Sequence, residues 1–123
     1  SSHYAIARDG TIVQFVPDND RAYHAGRSKM PTDGREGVND FSIGIELMAS
    51  HPEDDSSVKT KEDAYTEEQY NALNKLIAYL CKEEDIDTVV GHDEIAPERK
   101  KDPGPLFQWD RVRTEDYRPK ACE

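Results

Sequence analysis

The sequence predicts an α/β fold in which a mixed β-sheet is flanked by helices, and three observations lead there. An alternating apolar pattern surrounds an Asp-Gly pair between residues 3 and 17. Residues 65–86 repeat apolar side chains at helical spacing. Two short apolar runs, at residues 41–48 and 87–91, stand on either side of that helix. The order strand, strand, strand, helix, strand, helical turns belongs to a mixed α/β layer rather than to a bundle or a sandwich.

Each element has a local cause. In "HYAIARDGTIVQFVP", Tyr4, Ile6 and Ile12 alternate with other residues on either side of Asp9-Gly10. An Asp-Gly pair in such a setting predicts a tight hairpin with positive φ at both turn positions, and Pro17 closes the second strand. The loop at 17–40 carries "RAYHAG" and "DGREGVND". It is longer than ordinary connections, and loops of that length are more often functional or mobile. "FSIGIELM", Phe41 to Met48, is strand-like, and Glu46 is the one acidic residue inside it.

The helix is expected over "YTEEQYNALNKLIAYLCKEEDI". Thr66 followed by Gln69 resembles a capping box, and Glu67 and Glu68 suit the positive end of the helix dipole. Tyr70, Leu73, Ile77 and Leu80 fall on one face to be buried. "DTVVG", residues 87–91, reads as a brief β-branched strand that delivers the chain into His92. "PLFQWDRVR" then forms one or two helical turns.

At 123 residues, of which 35% are hydrophobic and 34% charged, the chain is expected to be one domain spanning 1–123 with a modest core. It is too apolar and too well patterned to be disordered. The net charge of −10 and the lack of a basic stripe exclude a nucleic-acid partner and disfavour docking on anionic lipid. No apolar run is long enough for a transmembrane helix. Much of the acidic excess lies in "HPEDDSSVKTKED" and "CKEEDID", read as a solvated loop, with His51 at the surface, and a solvated helix end.

Cys81 and Cys122 can pair, but two cysteines establish neither a disulfide framework nor a redox compartment. Cys81 is most simply a small core residue. The chain opens "SSHYAI", without Met or a signal-peptide core, as a processed or truncated product would.

Chemistry concentrates in "GHDEIAPERKKDPG", residues 91–104. The His92 imidazole and the Asp102 carboxylate are both normal zinc ligands. A loop containing Pro97 can return Asp102 to His92, and Pro103-Gly104 fix its exit. Either residue alone is more simply a strand-end histidine or an Asp-Pro turn. Lys100, with Lys101 beside it, offers a cation for the oxyanion formed when water attacks an amide. Glu46 offers a carboxylate able to take a proton from that water. Alternation places it on the face opposite Ile45 and Leu47, where the plain alternative is a solvent-facing strand residue. Tyr23 and His24 could line a substrate groove by stacking and hydrogen bonding. His3 is a weaker candidate.

Three blocks, "SSHYAIARDGTIVQFVPDNDRAYHAG", "NDFSIGIEL" and "GHDEIAPERKKDPGPLFQWDRV", resemble the zinc-dependent N-acetylmuramoyl-L-alanine amidases of the amidase-2 family. That group includes the AmpD and AmiD enzymes, phage amidases and, more distantly, peptidoglycan recognition proteins. The likeness is to the AmpD-like branch, which has an Asp ligand where phage enzymes tend to have Cys. The resemblance implies Zn2+ as cofactor, held in part by His92 and Asp102. It implies that Glu46 activates or orients water and that Lys100 stabilises the tetrahedral intermediate. Tyr23 matches an aromatic that contacts the muropeptide. The implied substrate is a peptidoglycan fragment or muropeptide, cleaved between N-acetylmuramic acid and L-alanine.

The family's first zinc ligand is a His at the end of an early strand, before the block matching "SSHY". It has no counterpart here. Three expectations follow: the ligand and its strand precede Ser1, His3 or His24 substitutes for it, or the fold is a non-catalytic muropeptide-binding module.

Overall fold

The computed structural model describes residues 1–48, 60 and 64–123. His51 and most of the acidic run around it lie outside the described residues. Three short strands form a mixed sheet: β1, Tyr4–Ile6; β2, Ile12–Gln14; and β3, Ile45–Leu47, in the order β2-β1-β3. β1 is antiparallel to β2, with Ala5 opposite Val13, and parallel to β3, with Ala5 opposite Glu46. The central strand is buried throughout, whereas β2 is exposed along its length.

The long helix α1, Glu67–Glu83, starts where the sequence places it. Thr66 Oγ1 accepts the Gln69 N–H at 3.1 Å, and Gln69 Oε1 accepts the Thr66 N–H at 3.0 Å, completing the capping box. Tyr70, Leu73, Ile77 and Leu80 are all buried, joined by Leu76. They pack in one cluster with Tyr4, Ile6, Tyr65, Phe107 and Val112. Phe107 meets Tyr65 edge-on with ring centroids 5.2 Å apart and Trp109 at 4.6 Å.

Gln69 does more than cap. It is buried, and its side-chain amide donates to the Ile6 carbonyl at 3.3 Å and to the Met48 carbonyl. One side chain thus ties the start of α1 to the ends of β1 and β3.

Three local expectations are corrected. The Asp9-Gly10 turn has positive φ only at Gly10 (φ 90°), because the Gly10 N–H donates to Ala7 C=O at 2.9 Å in a wider loop. Only Ile45–Leu47 of the run 41–48 forms ladder, since Phe41 closes a 3-10 turn at Val38–Asp40. Residues 87–91 form no strand. The Val89 N–H goes to Tyr117 C=O at 2.8 Å and its carbonyl accepts from Arg113 at 3.0 Å, so its backbone is engaged by the C-terminal segment. Cys81 packs against the core and also forms a disulfide with Cys122, which holds the C-terminal turn Lys120–Cys122 to α1. No helix among the described residues is long and apolar enough to cross a membrane.

Replacing Gln69 by Ala removes the donor to the Ile6 and Met48 carbonyls and the acceptor of the Thr66 N–H. Unfolding in urea is expected to show a loss of about 1–3 kcal/mol, and an unchanged midpoint would mean that the amide does not link the elements.

Candidate functional site

The strip 91–104 folds back on itself. Gly91 is extended and precedes a four-residue helix, α2, His92–Ile95. The Arg99 and Lys100 N–H groups both donate to Ala96 C=O, at 3.0 and 2.9 Å, and turn the chain round. The Asp93 N–H donates to Asp102 C=O at 2.9 Å and closes the loop. Beyond it, Gly104 takes a φ of 85° that favours glycine, and Tyr65 Oη donates to Pro103 C=O at 2.6 Å.

This closure places His92 Nδ1 3.3 Å from Asp102 Oδ2. On its other side, His92 Nε2 lies 3.3 Å from the Ala25 carbonyl, which can only accept, so that nitrogen carries hydrogen. Nδ1 and a carboxylate oxygen then face each other, an arrangement suited to a shared proton or a shared cation. Two ligands about 2.0–2.2 Å from a tetrahedral ion stand roughly 3.3–3.6 Å apart, and the observed spacing matches. The donor pair therefore fits a zinc ion. Among the described residues no group of three or more His, Cys, Asp or Glu is placed to hold a metal.

A cavity of about 950 Å³ adjoins the pair, and Tyr23, His24, Glu46, His92, Lys100 and Asp102 all border it, whereas His3 and Lys101 do not. Glu46 reaches it from β3, on the exposed position between Ile45 and Leu47, which pack toward the core. Lys100 reaches it from the strip. Ile45, Leu73, Ile77, Leu80 and Val90 give the same cavity an apolar wall.

Tyr23 and His24 sit on the long loop. Tyr23 is 68% exposed, with the Arg21 guanidinium 5.0 Å from its ring centre, so it does not cap the core. His24 is held more firmly. Asn39 Oδ1 accepts the N–H groups of His24 and Ala25 at 3.2 and 2.9 Å. Ser42 donates its hydroxyl hydrogen to Val38 C=O, so His24 Nε2 donates to Ser42 Oγ at 3.0 Å.

His3 is fully buried, its Nε2 donating to Asp20 C=O at 2.7 Å and its Nδ1 accepting Gly44 N–H at 3.1 Å. Both of its nitrogens are committed, which removes it as a substitute ligand in this conformation. Arg99 spans from the strip to the loop, donating to Ala25 C=O at 3.0 Å and Arg27 C=O at 2.7 Å.

The family model for N-acetylmuramoyl-L-alanine amidase, amidase-2, matches residues 1–105. The chain belongs to the amidase-2 family. The 1,6-anhydro-N-acetylmuramyl-L-alanine amidase AmpD of Escherichia coli K12 is 46% identical over 115 residues, covering 92% of this chain and 56% of that protein. Among solved structures, an AmpD selenomethionine derivative superposes with a TM-score of 0.72 at 45% identity, covering 90% of this chain and 56% of the other. Escherichia coli AmiD, solved with the substrate anhydro-N-acetylmuramic acid-L-Ala-D-gamma-Glu-L-Lys, also gives 0.72, at 36% identity, covering 90% and 46%. The mixed sheet with flanking helices is thus the amidase-2 fold. The chain spans about half the length of the curated relatives it matches.

Sequence reasoning missed the supports of this site. Ser42 and Asn39 hold the His24 loop, Arg99 ties that loop to the strip, and Glu94 and Arg113 grip the turn before His92. Only Glu94 left a trace in the sequence, as an acidic residue three positions after a glycine at a helix start.

Burial, then the neighbouring His3 and His92, push the His24 imidazole from an ordinary 6.5 down to about 4. The unfolded chain takes up that proton near pH 6.5, while the folded chain resists it until about 4. Stability is therefore lost as pH falls through that window and levels off below it. Urea midpoints measured across the window are expected to fall less steeply for His24→Asn. Equal slopes would remove His24 as the titrating group.

Proposed function

We propose that residues 1–123 form one amidase-like domain that hydrolyses the amide between N-acetylmuramic acid and L-alanine in peptidoglycan or muropeptides. The observation that carries this reading is the His92 Nδ1–Asp102 Oδ2 pair at 3.3 Å, in a cavity that Glu46 and Lys100 also line. AmpD and AmiD carry amidase names, and AmiD was solved with a muropeptide substrate bound.

In this reading His92 and Asp102 hold the zinc on which the family generally depends. Bound there, zinc serves as a Lewis acid toward the amide carbonyl and activates water near neutral pH. The Ala25 carbonyl keeps the hydrogen of His92 on Nε2 and leaves Nδ1 free to ligate. A Glu46 carboxylate oxygen takes the proton of the attacking water. The Lys100 ammonium faces the oxyanion that develops on the amide oxygen. Tyr23, exposed at the rim, offers its ring to the muropeptide, and His24 presents a neutral imidazole beside it.

Catalytic zinc sites use three protein ligands, and the described residues supply two. The decisive assay therefore uses the longest natural form of the protein, loaded with zinc and given an anhydromuropeptide. Release of free stem peptide is expected. Glu46→Ala is expected to lose about 10²–10⁴-fold in kcat while retaining zinc, and His92→Ala to lose the metal. Saturable muropeptide binding that survives chelation, without turnover, would instead establish a binding module.

A further inference from the structure

Arg113 lies outside the strip, yet it reaches into it at several points. Its guanidinium makes a two-pronged ion pair with Glu94, Nη1 to Oε1 at 2.6 Å and Nη2 to Oε2 at 2.8 Å. The two side chains are 11% and 23% exposed, so this is largely a buried pair. Nη1 also donates to Val89 C=O at 3.0 Å. Glu94 Oε1 in turn accepts the Gly91 N–H at 2.7 Å. The plane of Arg113 is fixed as well, its Cζ lying 3.5 Å over the Trp109 ring and 4.8 Å from that of Tyr117.

These contacts bracket His92. Val89 and Gly91 precede it, Glu94 follows it, and the Asp93 N–H between them is the group that holds Asp102 in place. The pair therefore fixes the backbone on both sides of one candidate ligand and, through one hydrogen bond, the position of the other. It also occupies both oxygens of Glu94, a carboxylate two positions from His92, and so keeps it from competing as a ligand.

A buried ion pair is a poor source of stability, because desolvation offsets most of its attraction and apolar replacements are often neutral or better. Positioning is the more economical account of why charge stands here. We propose that Glu94 and Arg113 are positioning residues, which set the approach of His92 and Asp102 to the metal rather than stabilise the fold. This rests on reading His92 and Asp102 as zinc ligands.

The test compares, all in the longest natural form of the protein, wild type with Glu94→Gln and with the double variant Glu94→Gln/Arg113→Met, which removes both charges together. Measured are zinc affinity by competition with a chelator, apo melting temperature, kcat and KM on a muropeptide, and amide hydrogen exchange at Gly91 and Asp93 without metal. The double variant is expected to bind zinc about 10–100-fold more weakly and to lose kcat with KM little changed. Its apo melting temperature is expected at or above that of wild type, with faster exchange at Gly91 and Asp93. Glu94→Gln, which keeps an oxygen for the Gly91 N–H, is expected to fall between, and it decides the matter if the double variant does not fold.

Zinc affinity equal to wild type, or a lowered melting temperature with zinc affinity preserved, overturns the proposal. A wild type that binds no zinc overturns the ligand reading instead. Exchange at Gly91 and Asp93 then reports separately on the pair: faster in the variants supports its hold on the turn, and unchanged exchange refutes it.

Discussion

A single backbone hydrogen bond, Asp93 N–H to Asp102 C=O at 2.9 Å, turns a stretch of charged sequence into a site. Ten positions separate His92 from Asp102, and that closure helps bring an imidazole nitrogen to within 3.3 Å of a carboxylate oxygen. The bond is possible because the first turn of α2 leaves its N–H groups without intrahelical partners. Ala96 C=O collects Arg99 and Lys100 on the way round. The ligand pair and the oxyanion cation on Lys100 both depend on where this loop ends.

The loop is held at both ends by segments distant in sequence. On one side Arg99 donates to the carbonyls of Ala25 and Arg27, tying the loop that bears Tyr23 and His24 to the strip. On the other, the C-terminal segment engages Val89 through Tyr117 and Arg113. The disulfide from Cys122 to Cys81 fixes that segment to the core helix. With strands of only three residues, the sheet contributes little rigidity of its own. Side-chain bonds such as those of Gln69 and Asn39 take over part of that work.

Much of this was legible in the sequence, and what was not has a physical reason. Helix α1 follows from Thr66, Gln69 and the spacing of Tyr70, Leu73, Ile77 and Leu80, each of which lies within about one turn of the next. The six candidate site residues converge on one cavity, as strand-end and loop positions in an α/β layer allow. Residues 87–91 show where local reasoning stops. Their β-branched character favours a strand, but a strand requires a ladder partner, and Val89 spends its backbone on Tyr117 and Arg113 instead. The Asp-Gly turn failed similarly, because the pattern predicts a turn and not its length. Glu94 and Arg113 are 19 positions apart. In a chain that is 34% charged, nothing local marks two of those residues as partners.

The central claim is that the His92 and Asp102 side chains share one metal ion. The zinc-edge X-ray absorption spectrum of the zinc-loaded protein, in its longest natural form, tests it most directly. The account predicts a low-coordinate site of nitrogen and oxygen ligands at about 2.0–2.2 Å with imidazole outer-shell scattering, and a zinc signal that disappears with the metal in His92→Ala. A sulfur shell near about 2.3 Å, or a spectrum unchanged by removal of His92, would contradict it.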